Sequence, residues 1–205
     1  MLYDNYKELE EIKDIIEEAI TTLINSYNNN GKILVCGNGG SSSDSAHITG
    51  ELMKDFMFKR GAHKDLKEKL MAFDDGEYIY SMLEKAVPCI DLTSESAIIS
   101  AYSNDKDPSL VYAQLVYGYS YNSKFDVLIA ISTSGNSKNI VNAVKVAKAI
   151  GLKVISLTGM NDSKLSELSD ITIKAPAKET YRIQEYHLPI YHYICQELEK
   201  RLFKD

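Results

Sequence analysis

The sequence predicts an α/β fold with a parallel sheet covered by helices on both faces, and three observations carry that prediction. Short apolar runs alternate with stretches of helical periodicity along the chain. Those runs are short and apolar enough to be buried strands. Two of them lead into loops of glycine, serine and asparagine, at the strand ends where open α/β sheets bind ligands.

Residues 4–27 place Leu9, Ile12, Ile15, Ile16, Ala19, Ile20, Leu23 and Ile24 at three- and four-residue steps, which predicts an amphipathic packing helix. Residues 32–36 form the first apolar run. It enters Cys36-Gly37-Asn38-Gly39-Gly40-Ser41-Ser42-Ser43, after which a helical pattern extends to about residue 58. The polar segment 59–85 reads as one or two helices without a core stripe, an insert to the fold. A strand over 87–92 and a short helix from Ser94 follow, and beyond Ser103-Asn104-Asp105 a helical stretch runs towards residue 117. A buried strand over 125–131 leads through Ser132-Thr133-Ser134-Gly135-Asn136-Ser137 into a helix over 138–150. Strands at 153–157 and 171–174 precede a final helix over 183–203, which Pro189 should kink or open locally.

With 205 residues, of which 44% are hydrophobic, the chain suits one well-packed domain, 1–205. A net charge of −6 without clustered Lys and Arg argues against nucleic-acid binding. No apolar stretch approaches a membrane span, and the acidic N-terminal region does not resemble a signal peptide, so a cytoplasmic location is expected. Cys36, Cys89 and Cys195 are an odd number without a C-x-x-C spacing, which fits reduced thiols. Cys36 borders the first loop, where buried packing is the expectation.

Chemistry concentrates in the two loops. The segment 134–137 lies between a buried strand and a helix, so free backbone N–H groups and the positive end of a helix dipole should meet there. A serine in that place is also a common helix cap. The first loop, 36–43, favours the phosphate-cradle reading, because glycine admits close backbone approach and serine supplies donors. Neither loop is G-x-G-x-x-G, and no G-x-x-x-x-G-K-[ST] occurs, so no nucleotide cofactor is expected.

His47 and Glu51 stand four residues apart on the helix after the first loop and share a face. Arg182-Ile183-Gln184-Glu185-Tyr186-His187-Leu188-Pro189-Ile190-Tyr191-His192 puts two of the four histidines in an otherwise apolar helix. His187 is read as packing and His63 as surface.

These motifs resemble the sugar isomerase (SIS) domain family and, within it, the phosphoheptose isomerases. The residues that carry the resemblance are C-G-N-G-G-S at 36–41, H-x-x-x-E at His47 and Glu51, N-D at Asn104 and Asp105, I-S-T-S-G-N-S at 131–137, L-T-G at 157–159 and R-I-Q-E-x-H-x-x-x-x-H at 182–192. The resemblance implies a single three-layer SIS domain, flavodoxin-like or Rossmann-like, and conversion of sedoheptulose 7-phosphate to D-glycero-D-manno-heptose 7-phosphate through an enediol. It implies Glu51 as base and His192 as acid, and His47, Glu51, Gln184 and His192 as zinc ligands. Asn38, Gly39, Gly40, Ser41, Glu51, Asn104, Asp105, Ser132, Thr133, Ser134, Ser137 and Gln184 match substrate-binding positions. It also implies a homotetramer.

Two positions depart from the family pattern. Asp55 stands where the family usually has arginine, and Tyr181 where it commonly has aspartate; with the insert 59–85 these bear on which sugar is taken. The alternatives are an isomerase of another phosphosugar, or a non-catalytic SIS protein that senses phosphosugars or binds the replication initiator DnaA. The latter typically lack the Glu and the final His. Eight residues separate Gln184 from His192, about 12 Å along a helix, so the site is expected to draw on two subunits.

Overall fold

The computed structural model describes residues 2–204. Its sheet has five parallel strands in the order β2-β1-β3-β4-β5, comprising β1 (Ile33–Cys36), β2 (Cys89–Asp91), β3 (Val127–Ile131), β4 (Lys153–Thr158) and β5 (Ile171–Lys174). The chain switches direction between β1 and β3, which pair from Ile33 opposite Val127 to Cys36 opposite Ala130. In doubly wound sheets that switch point opens a crevice at the strands' carboxyl ends. Both glycine and serine loops leave from it.

Ten α-helices surround the sheet among the described residues: α1 (Leu2–Asn5), α2 (Lys13–Asn28), α3 (Gly40–Met53), α4 (Lys64–Leu70), α5 (Gly76–Met82), α6 (Ser96–Asp105), α7 (Val111–Ser120), α8 (Lys138–Ala149), α9 (Lys164–Leu168) and α10 (Thr180–Phe203). The strands are buried on both faces because their alternate side chains serve two cores. Ile33, Val35, Ile129 and Leu157 pack with Ile20 and Leu23 of α2, Leu52 of α3 and Ile194 of α10. Leu34, Leu128, Ala130 and Val154 pack with Leu115 of α7 and Ile140 and Val144 of α8. Burial of such side chains, each contributing about 1.5–3 kcal/mol, fixes α3 and α10 side by side on one face.

Two sequence expectations change in detail. The helix expected over 4–27 is interrupted at Tyr6 and continues as a 3-10 helix, Lys7–Ile12, before α2 begins. Three residues per turn still put Leu9 and Ile12 on the core side, so the apolar stripe is satisfied by either winding. The final helix starts earlier, at Thr180, and runs as one element through Pro189.

The segment 59–85 holds α4 and α5, tied back by an antiparallel bridge between Gly61 and Glu84. Its anchor is Arg60, which is 3% exposed. The guanidinium donates to the Leu52 carbonyl at 3.0 Å and the Glu51 carbonyl at 3.3 Å, closing the end of α3, and to Glu199 Oε1 of α10 at 2.8 Å. Burial alone would raise the Glu199 carboxyl, but the Phe56 and Met57 amides and Arg60 more than offset it and hold it below its usual range.

Candidate active site

α3 begins directly on the first glycine loop, so its side chains at one-turn spacing line the space above the sheet's carboxyl edge. His47 Nε2 lies 3.1 Å from Glu51 Oε1 and 3.4 Å from His192 Nε2. Glu51 is 14% exposed in its side chain and His47 43%, a carboxylate recessed behind an accessible imidazole. The second oxygen, Glu51 Oε2, is buried without a hydrogen-bond partner among the described residues. His192 sits below its usual pKa because of burial and the neighbouring His47, with Glu51 acting in the opposite sense.

One chain gathers Glu51 and His192 around His47. Gln184 lies two turns earlier on α10, and its amide rests against Gly40: a Cβ at Gly40 would collide with Gln184 Nε2. A side chain at that position would push the Gln184 amide off the first loop.

The two loops are joined across the switch point. Asn38 Nδ2 donates to Asn139 Oδ1 at 2.8 Å, and Asn139 Nδ2 returns the bond to Asn38 Oδ1 at 2.9 Å. In the β3 loop, Ser137 precedes α8 without capping it; its hydroxyl lies 3.1 Å from Ser132 Oγ. The capping role therefore does not consume Ser137, and the helix N-terminus stays available to an anion. Gly135 has φ +63°, and a Cβ there would strike Ser163, so the loop folds tightly onto the segment after β4.

Thr133, Ser134 and Asn136 line a cavity of about 320 Å³ whose far wall is Gly159, Met160, Asp162, Lys178 and Ile183. Asp162 is paired with Lys174 at 2.6 Å. Lys178 is exposed and has no ion pair among the described residues, which leaves it as a free cation on the cavity wall. The sequence reading missed Lys178, since a lysine before a helix looks like ordinary surface.

Other residues named from sequence sit less openly. Ser41 and Ser132 are 3% and 4% exposed. Gly39 ends the first loop with φ +56°. Asn104 and Asp105 close α6, with Asn104 Nδ2 donating to Asp105 Oδ1 at 2.9 Å. They are exposed, and Asp107 two residues on faces Lys138 of α8 at 3.7 Å. Tyr181 is exposed and Asp55 lies just past α3, its backbone N–H bonded to Glu84.

His187 is fully buried, with Nε2 3.2 Å from the Thr158 carbonyl, and burial lowers its pKa to about 4. It packs, and His63 is exposed. The three cysteines are free and buried, and burial raises Cys36 and Cys89 to about 12, which removes nucleophilic thiolate at neutral pH.

The donor chemistry suits zinc. Ligand atoms around a tetrahedral ion with bonds of about 2.0–2.1 Å stand about 3.3–3.4 Å apart, near the 3.1 and 3.4 Å separations around His47 Nε2. As they stand, no group of three or more His, Cys, Asp or Glu side chains among the described residues is gathered closely enough to hold an ion.

Comparison with known proteins meets the same fold. Residues 4–159 match the SIS domain family. The chain is 34% identical over 194 residues to the phosphoheptose isomerase of Helicobacter pylori strain P12, covering 95% of this chain and 88% of that one. It is 35% identical over 196 residues to that of Aneurinibacillus thermoaerophilus, covering 96% and 86%. The solved phosphoheptose isomerase of Neisseria gonorrhoeae superposes with a TM-score of 0.75 at 27% identity, covering 97% of this chain and 93% of that chain.

Proposed function

Because this chain belongs to the SIS domain family and, within it, to the phosphoheptose isomerases, we propose that it converts sedoheptulose 7-phosphate to D-glycero-D-manno-heptose 7-phosphate. The observation that carries the proposal is the meeting of Glu51 and His192 at His47, beside a serine loop at the sheet's switch point.

The phosphate binds to Thr133, Ser134 and Ser137 at the start of α8, with Lys178 supplying the countercharge; this holds the reacting carbons in place from the far end of the sugar. Glu51 removes a proton from C1, the C–H electron pair forms the C1–C2 double bond, and His192 gives a proton to the C2 oxygen. The enediol then collapses: the C1 hydroxyl loses its proton, the carbonyl forms at C1, and Glu51 returns a proton to C2. Each group ends in the state in which it began after the His192 proton is restored from the C1 hydroxyl.

His47, Glu51, Gln184 and His192 are the residues that would hold zinc. Such an ion would polarise the sugar carbonyl as a Lewis acid. We also propose a homotetramer: Met57, Phe73, Tyr78 and Met82, in and beside the insert, are 57–68% exposed, an apolar surface that a second copy would cover. Buried free thiols and a phosphosugar substrate accord with a cytoplasmic enzyme.

The test is a panel of phosphoketoses assayed in deuterated water. Turnover of sedoheptulose 7-phosphate with solvent deuterium appearing at C2 of the product is expected. Turnover of a different phosphosugar alone would reassign the substrate, and absence of turnover across the panel would remove the isomerase assignment.

A further inference from the structure

The sheet separates the two ends of the proposed reaction. Glu51 belongs to α3, which packs on one face through Ile48 and Leu52, whereas the start of α8, to which the phosphate is assigned, belongs to a helix packed on the other face through Ile140 and Val144. The Asn38–Asn139 pair links them over the sheet's carboxyl edge. Each carboxamide gives an N–H and takes one in return, at 2.8 and 2.9 Å, between residues 101 positions apart.

Asn139 is the second residue of α8, and its Oδ1 also accepts the backbone N–H of Ile140 at 3.0 Å. An N-cap serine would ordinarily take that third amide of the helix. Asn139 thus relieves Ser137 of capping, and the Ser137 hydroxyl turns to Ser132 Oγ at 3.1 Å and to the space where the phosphate is assigned. On the other side of the pair, Asn38 stands two residues before Gly40, where α3 begins. The neighbouring Gly37 carbonyl accepts the hydroxyl of Tyr112, a residue of α7 buried in the same core as Ile140. The first loop is therefore pinned twice to the α7 and α8 layer while it launches the helix that carries Glu51.

We propose that Asn139 is a positioning residue, which fixes the first loop and the start of α3 against the helix that takes the phosphate. This rests on the isomerase reading. A substrate gripped at α8 then meets Glu51 at a preset distance, and less of its binding energy goes into ordering the two helix starts.

The pair is exposed, so full-length Asn139→Ala should fold and melt within about 2–4 °C of wild type, the scale of one lost hydrogen bond. With sedoheptulose 7-phosphate, kcat per folded chain should fall about 10- to 100-fold, the scale of a misplaced reacting centre, with KM within about twofold of wild type. Asn38→Ala breaks the same link and leaves the Ile140 N–H bonded to Asn139, so it tests the link even if α8 frays in Asn139→Ala. It should show the same loss of kcat, and the double variant should be no worse than either single one. An Asn139→Ala protein with wild-type kcat would overturn the proposal, whether or not its KM rises. Losses that multiply in the double variant would overturn it too, since Asn38 would then act on the substrate by itself. Wild-type protein that turns over no phosphosugar would defeat the isomerase reading and the proposal together, whereas an active wild type with equally active variants would defeat the proposal alone.

Discussion

α3 and α10 meet in polar company at two places, and the two places differ in kind. At one, Arg60 and Glu199 are both fully buried at the side chain, and Glu199 receives the Arg60 Nε and two backbone amides. Every strong group there has a partner. At the other, His47, Glu51 and His192 approach one another with long contacts, one carboxylate oxygen lacks a partner among the described residues, and His47 is exposed to solvent. A saturated ion pair on the same two helices is a structural tie, whereas an unsaturated cluster has capacity left for a substrate. The tie also bears on the cluster, because Arg60 grips the carbonyl of Glu51 itself.

The comparison breaks most visibly at Glu51. Glu51→Gln should lower kcat about 10²- to 10⁴-fold with phosphosugar binding kept, as read by steady-state turnover and calorimetry. Near-normal turnover would remove Glu51 as the base. Co-refolding Glu51→Gln chains with His192→Ala chains should restore no activity, since one chain supplies both groups; recovery in verified mixed oligomers would mean that the site is shared.

Glu199→Gln should act on stability instead. It leaves a buried guanidinium without its anion, at a cost of about 3–5 kcal/mol, measured by urea denaturation. Replacing both partners, as Arg60→Met with Glu199→Gln, keeps an acceptor for the Phe56 and Met57 amides and should recover much of that loss; a single variant as stable as wild type would deny the tie its role.

His187 sharpens the contrast between a buried and an open imidazole. Its folded pKa of about 4 lies under the ordinary 6.5, so between those values the unfolded chain binds a proton that the folded chain does not. Stability from this group is complete above pH 6.5 and falls as the pH drops towards 4, by about 3 kcal/mol in all. Denaturation midpoints measured between pH 7 and pH 4.5 should fall less steeply in His187→Gln than in wild type; parallel slopes would show that His187 does not set the acid limit.

The smallest effect is expected at the phosphate end. Ser134→Ala removes one hydroxyl from the β3 loop and should raise KM about tenfold, the worth of a single hydrogen bond to a charged group, with kcat unchanged. An unaltered KM would take Ser134 out of the cradle.

What could be read from sequence follows the range of the signal. The strand 127–131 is a continuous apolar run and His47 with Glu51 is a one-turn pair, so both are written locally and both were legible. The residues that bring α3 and α10 together are not written locally. Arg60 looks like a solvated cation inside a polar segment until Glu199, 139 positions later, is seen to bury it. Tyr191 looks like one more tyrosine of an apolar helix until its hydroxyl is found between Asp44 and His47. The start of the chain failed differently, because apolar steps of three and four residues suit an α-helix and a 3-10 turn alike at Leu9 and Ile12. Gln184 was expected at the histidines from family resemblance, and its place against Gly40 depends on a close approach of backbone and amide that no spacing encodes.

The contact between His47 and His192 joins residues 145 positions apart, and the reciprocal Asn38–Asn139 pair joins residues 101 apart. Closing such long loops is entropically costly before the intervening chain has collapsed, so contacts of this span form late. Helical circular dichroism should therefore return in the early phases of refolding while turnover returns only in the last one. In this molecule enzymatic activity is a clock for the end of folding, and a chain arrested with its sheet complete but α10 undocked would look native to most spectroscopic probes while catalysing nothing.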